Sequence, residues 1–206
     1  MQYLIGDASV IIVAGSDTTA IALTFLLYHL TKYPHHVEKL RKELEGVNVH
    51  DNIALQPLPH LNAVINETLR LLPPGLTIGL RQTPPEGLRI GETFIPGDVT
   101  ISTPAWCLGK LESSYTRANE FIPERWYTDS DMIKNRTGYA PFSTGAVSCL
   151  GKQPALIGLR IVTARLVTTF DFEFTEGFKE LDVRDCLTAH VGPLMLRFTK
   201  RNNRGD

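Results

Sequence analysis

The run from Asp7 to Lys32 constrains this chain more than any other stretch. Between Ala8 and Tyr28, 21 residues carry a single charge, Asp17. An apolar segment of that length either spans a membrane or lies buried in protein. Its length suits a span, but Gly15-Ser16-Asp17-Thr18-Thr19 sets a polar knot at its midpoint, where an acid is most costly in lipid. A helix running through the core of a large protein accounts for both features. The predicted helix is apolar nearly all round, so burial rather than a wet face is expected. Gly15 and the neighbouring hydroxyls weaken the helical ladder and predict a kink or widened turn there.

Pro34 opens a second predicted helix, with Val37, Leu40 and Leu44 as its buried stripe. Glu38, Lys39, Arg41, Lys42 and Glu43 are expected to face water. His35-His36 invites a reading as a metal pair, but adjacent residues point apart on a helix, so both are read as surface. Gly46 to Pro57 reads as a loop. Leu58 to Leu72 is a third helix, stopped by Pro73-Pro74-Gly75. On it, Glu67 and Arg70 lie three apart on one face, flanked by Val64, Ile65, Leu69, Leu71 and Leu72. Such a pair is a weak surface contact or, if buried, needs further partners to offset desolvation.

From Gly79 to Ser102 the period shortens. Leu80 to Gln82, Gly87 to Ile90, Thr93 to Ile95 and Val99 to Ser102 read as strands of a small antiparallel sheet. Pro104 to Lys110 suits a short helical turn, and Leu111 to Ala140 is mostly loop. Lys152 to Thr169 is helical. Phe170 to Thr175 and Leu194 to Thr199 alternate as strands and are expected to pair as a hairpin. The formal net charge of −1 carries no electrostatic footprint for nucleic acid. Cys107, Cys149 and Cys186 lie far apart with no Cys-x-x-Cys pair, which argues against a zinc site and against a disulfide scaffold.

One loop remains, Phe142 to Gly151, running into the helix that starts near Lys152. A cysteine at a helix N-terminus sits where unpaired N–H groups favour thiolate. Gly145 and Gly151 would let backbone pass close to a flat ligand. Taken alone, Cys149 reads as a small buried hydrophobe. The full pattern, Phe-x-x-Gly-x-x-x-Cys-x-Gly, resembles the haem-binding loop of the cytochrome P-450 (haem-thiolate monooxygenase) superfamily, in which the cysteine sulfur is the proximal iron ligand.

Three further motifs resemble the family in the family's order. Ala14-Gly15-Ser16-Asp17-Thr18-Thr19 is similar to its oxygen-activation motif, and the resemblance assigns Thr18 to hydrogen-bonding the oxygen substrate and Asp17 to proton supply. Glu67-Thr68-Leu69-Arg70 matches its Glu-x-x-Arg, which joins an arginine from a later segment, here Pro123-Glu124-Arg125-Trp126. Glu67, Arg70 and Arg125 then form a structural triad that fixes the cysteine loop. Arg81 matches the arginine that pairs with a haem propionate, a task suited to a guanidinium. Phe142, Gly145 and Gly151 fall at cofactor-binding positions, and Cys149 at the metal ligand.

The resemblance implies a mainly α fold with a small antiparallel β-sheet, the C-terminal portion of the cytochrome P-450 fold in truncated form. The whole of 1–206 is expected to be one partial domain. Its parts are the oxygen-activation helix (7–32), the Glu-x-x-Arg helix (58–72), the small sheet (79–102), a meander (111–141), the cysteine loop (142–151) and a helix (152–169). The implied cofactor is haem b with an axial cysteinate. The implied activity is insertion of one oxygen atom of O2 into an apolar small molecule, with an NADPH-dependent reductase as electron donor. The motif style resembles fungal microsomal members of secondary-metabolite pathways. The alternative is a truncated, non-catalytic remnant that binds haem weakly or not at all. Full-length relatives are anchored in the endoplasmic reticulum; no anchor is expected in these residues. Where the family usually has arginine two before the cysteine, this chain has Val147; Gly109-Lys110 stands in place of a common His-Arg, and Pro154 and Gly158 in place of leucine and glutamate.

Overall fold

A computed structural model describes residues 2–77 and 79–202. Its first helix, α1 (Gln2–Lys32), starts five residues before the predicted Asp7. Only its C-terminal half is core: Ala22, Phe25, Leu26 and Leu30 are buried, while Ile11 and Ile12 are 70% and 68% exposed. Burial of the whole predicted helix is therefore corrected. The residues that pack on α1 meet its second half, so the apolar first half presents a bare face. The widened turn expected near Gly15 does not form. The run is α-helical throughout, and the hydroxyls bond back inside it: Thr18 Oγ1 donates to the Ala14 carbonyl (2.7 Å) and Ser16 Oγ to that of Val13 (3.3 Å). A hydroxyl bonded to the preceding turn adds to the ladder without breaking it.

Helix α2 (Pro34–Glu43) buries Val37 and Leu40, with Leu44 just beyond, against α4 (Pro59–Leu71) and the long α6 (Lys152–Thr169). Each such side chain withdrawn from water contributes about 1.5–3 kcal/mol. Three side chains expected at the surface of α2 are not there. His36 is buried, whereas His35 is exposed. Arg41 reaches the Val167 and Phe170 carbonyls (2.8 and 2.9 Å) and the Asp171 carboxylate (2.6 Å), tying α2 to the end of α6. Glu43 accepts the N–H groups of His60 (2.7 Å) and Leu61 (2.8 Å). It thereby caps α4, whose own N-cap, Leu58, offers no side-chain acceptor. The predicted loop between α2 and α4 holds a short helix, α3 (Asn52–Leu55), capped by Asp51 accepting from the Ile53 N–H (2.8 Å).

The four short strands form two separate antiparallel pairs: β1 (Arg81–Gln82) with β4 (Thr100–Ile101), and β2 (Leu88–Ile90) with β3 (Thr93–Ile95). Helix α5 (Ala105–Leu108) fills the expected turn. The meander is organised by single 3-10 turns at Pro123–Trp126, Ser130–Met132 and Arg136–Gly138. After α6, β5 (Phe170–Phe174) pairs antiparallel with β8 (Leu196–Lys200), in register Phe172 to Phe198. Between them lies a tight hairpin that sequence periodicity did not show, β6 (Val183–Cys186) with β7 (Thr188–Val191), turning at Leu187 with φ of 76°. That φ is unusual for leucine, so no turn residue announced the hairpin.

Candidate functional site

The cysteine loop is closed by its own backbone. The Cys149 N–H donates to the Phe142 carbonyl (2.8 Å), and a 3-10 turn at Gly145–Val147 returns the Ser148 N–H to the Gly145 carbonyl (3.1 Å). Gly145 has φ of 71°, a conformation that favours glycine, and nothing lies within 4 Å of where its Cβ would stand. Cys149 is exposed, which corrects its reading as a buried hydrophobe. It stands two residues before Gly151, the N-cap of α6, and its carbonyl accepts from the Lys152 N–H (3.4 Å). Gly151 has φ of −79°, and a Cβ there would meet only Cys149 Sγ at ordinary contact distance. Phe142 is half-buried against the core, while Val147 and Leu150 are exposed.

Helix α6 ties this loop to the rest. Arg160 donates to Asn62 on α4 (2.8 Å) and to Asn52 on α3 (3.3 Å). Pro154 sits in the first turn of α6, where its missing N–H has no helical partner to lose. Gly158 faces α1; a Cβ on it would meet Thr19 Cγ2 at 4.0 Å. The segment carrying Asp17 and Thr18 thus lies beside the helix that follows the cysteine. Asp17 is exposed and Thr18 half-buried. Arg81 is exposed on β1, donating to the Leu80 carbonyl (2.7 Å).

Glu67, Arg70 and Arg125 come together as one sealed network. Arg70 meets the carboxylate of Glu67 through two parallel bonds, Nε to Oε2 and Nη2 to Oε1, both 2.8 Å. Arg125 Nε donates to Oε1 (2.9 Å), the indole Nε1 of Trp126 to Oε2 (2.9 Å), and the Ile122 N–H to Oε1 (2.9 Å). All three charged side chains are fully buried. Spare guanidinium donors reach the carbonyls of Gly109, Ala118 and Glu120 from Arg70, and of Thr116 and Arg117 from Arg125. Two cations and one carboxylate out of water are tolerated only because carbonyl dipoles take up the remaining N–H groups. The meander is thereby stitched to α4. Gly109 belongs to the same contact: a Cβ there would collide with the Arg70 carbonyl, so the backbone approach itself excludes a side chain. Beside the network, Trp126 packs on Tyr139, whose hydroxyl donates to Asn66 Oδ1 (3.0 Å), and burial pushes that phenol's pKa upward.

The family model for cytochrome P450 matches residues 4–196. The chain belongs to the cytochrome P450 family. It is 47% identical over 209 aligned residues to cytochrome P450 monooxygenase sthD of Phaeosphaeria nodorum, covering 97% of this chain and 43% of that protein. It is 44% identical to tryprostatin B 6-hydroxylase of Aspergillus fumigatus, covering 92% and 35% respectively. Among solved structures, a cytochrome P450 at 28% identity superposes with a TM-score of 0.82, over 94% of this chain and 44% of that one. A cytochrome P450 haem domain at 22% identity gives a TM-score of 0.80 and supports the fold alone. The chain thus spans well under half the length of these relatives. Haem iron is the family's cofactor. The cysteine loop fits such a group: it offers one soft sulfur donor on an exposed loop, with exposed apolar side chains at Val147 and Leu150.

Proposed function

We propose that this chain is the cysteine-bearing part of a haem-thiolate monooxygenase. One atom of O2 enters a C–H bond of a small apolar molecule, and the other leaves as water, with two electrons from NADPH through a reductase partner and two protons. The observation that carries this reading is the backbone-closed loop that presents Cys149 Sγ to solvent beside an unobstructed Gly145. Bound haem would supply the redox chemistry that splits O2. Cys149 would hold the iron through its sulfur, and Arg81 would pair with a propionate carboxylate. Thr18 Oγ1, whose proton is committed to the Ala14 carbonyl, keeps lone pairs with which to accept a hydrogen bond. Asp17, exposed one residue earlier, would take the proton-supply role. Glu67, Arg70 and Arg125 take no part in the chemistry; they hold the meander that leads into the loop. Similarity to enzymes such as tryprostatin B 6-hydroxylase supports a substrate from fungal secondary metabolism.

The test is spectroscopic. The chain is reconstituted with haem, reduced and exposed to carbon monoxide. The wild type is expected to show the red-shifted Soret band of thiolate ligation, and Cys149→Ser to lose it. The same band in both proteins removes Cys149 from the iron, and no haem uptake by either favours the non-catalytic remnant.

A further inference from the structure

Three side chains with no role in the proposed oxygenase chemistry converge from three elements. His36 lies in the first turn of α2, His60 in the first turn of α4, and Glu124 in the 3-10 turn at Pro123–Trp126. One ring nitrogen of each histidine and a carboxylate oxygen of Glu124 lie within 4.8 Å of one another. Both imidazoles are buried, at 2% and 4% exposure. His36 Nδ1 and His60 Nε2 are sealed from solvent with no hydrogen-bond partner. A buried polar atom left unpaired is destabilising, and two facing one carboxylate call for a shared partner.

We propose that His36 Nδ1, His60 Nε2 and the Glu124 carboxylate form a binding site for a divalent transition-metal cation, zinc being the best match. Two imidazoles and a carboxylate are a regular zinc donor set, with a water in the fourth position. His60 already has the outer partner that a ligating histidine requires. Its Nδ1 lies 3.0 Å from the Tyr127 hydroxyl, so donation to that oxygen leaves the Nε2 lone pair free. Bonds of about 2 Å require the three donors to draw in by about 1 Å on loading. Glu124 can supply that movement, since it sits at the rim with its side chain 19% exposed. The competing group is Lys39, whose ammonium lies 2.5 Å from Glu124 Oε1. Its side chain is 49% exposed and can swing into water when the cation arrives. The site would clip α2, α4 and the turn carrying Arg125 together. Cysteine spacing carries no sign of this site, and the adjacent His35-His36 pair does not form it, since His35 is exposed. The ligands instead come from histidines 24 positions apart, assembled by helix packing.

The test is titration of zinc chloride into the full chain by calorimetry, with cobalt(II) absorption as a parallel probe. The expected result is one zinc per chain with Kd of about 1 μM or tighter. Cobalt should give visible bands without the near-ultraviolet thiolate charge-transfer of a cysteine site. Glu124→Gln and His60→Gln should weaken zinc binding at least tenfold, and Lys39→Ala, which removes the competing ammonium, should tighten it about three- to tenfold. If His60→Gln does not fold, the rim variants Glu124→Gln and Lys39→Ala decide the matter. Equal zinc affinity in wild type and Glu124→Gln, thiolate bands with cobalt, or no zinc uptake by folded wild type would each overturn the site.

Discussion

Glu67 and Arg125 stand 58 positions apart in the chain, yet Arg125 Nε lies 2.9 Å from Glu67 Oε1 with both side chains sealed from solvent. This contact, with Arg70 on the other side of the carboxylate, holds the long irregular meander in one conformation. Removing either arginine leaves buried carboxylate and carbonyl oxygens without the donors that now satisfy them. Arg70→Ala and Arg125→Ala should each lose about 3–5 kcal/mol of stability. Urea denaturation measures it; a loss under 1 kcal/mol would mean that solvent reaches the network.

The helix after the cysteine carries a correctable weakness. Gly158 lies inside α6, and a Cβ there would meet Thr19 Cγ2 at 4.0 Å, ordinary van der Waals contact. Gly158→Ala should therefore stabilise the chain by up to about 1 kcal/mol through helix propensity. A lower melting temperature in that variant would show that the packing of α6 on α1 is tighter than this spacing implies.

Val147 occupies the loop position where the family usually has an arginine. Its side chain is 57% exposed, so a guanidinium placed there would remain solvated and impose no burial penalty. If haem binds as proposed, Val147→Arg supplies a second partner for a propionate. A charge-assisted pair contributes roughly 1.5–3 kcal/mol, which corresponds to haem affinity about ten- to a hundredfold tighter. Haem titration followed at the Soret band reads this directly, and unchanged or weaker binding would place the propionates elsewhere.

His29 is buried on α1 with its ring stacked on Phe121 at 4.4 Å. Burial, aided by the nearby charges of Lys32, Arg70 and Lys110, pushes its pKa down to about 3. In the unfolded chain it titrates near 6.5, so below that pH the unfolded state takes up a proton that the folded state refuses. The stability linked to His29 is fully present above about pH 6.5 and falls at about 1.4 kcal/mol per pH unit toward pH 3. Between pH 6.5 and 4.5, His29→Phe should lose about 2–3 kcal/mol less than wild type in urea denaturation. Equal slopes for the two proteins would show that the ring is protonated in the folded state.

Much of the fold was legible in the chain because its signals are local. Helical periodicity marks α2, α4 and α6; alternation marks β5 and β8; glycine and proline punctuate the short strands. The three-residue spacing of Glu67 and Arg70 places both on one helix face, and the loop around Cys149 is written in consecutive residues. What the chain did not show depends on which surfaces meet. Adjacent histidines at a helix start read alike as surface, but the packing of α2 on α4 buries His36 and leaves His35 outside. Glu43 looks like a solvent-facing charge until α4 arrives with two unpaired N–H groups for it to cap. Arg41 likewise gains its partners from residues more than 120 positions away. Conversely, the first half of α1 is apolar enough for a core and stands exposed. Apolar character expresses a tendency to be covered, whereas burial requires a neighbour in place. Periodicity and spacing therefore determine the elements and their faces, and tertiary packing alone decides which polar groups become partners, because burial removes the water that would otherwise satisfy them.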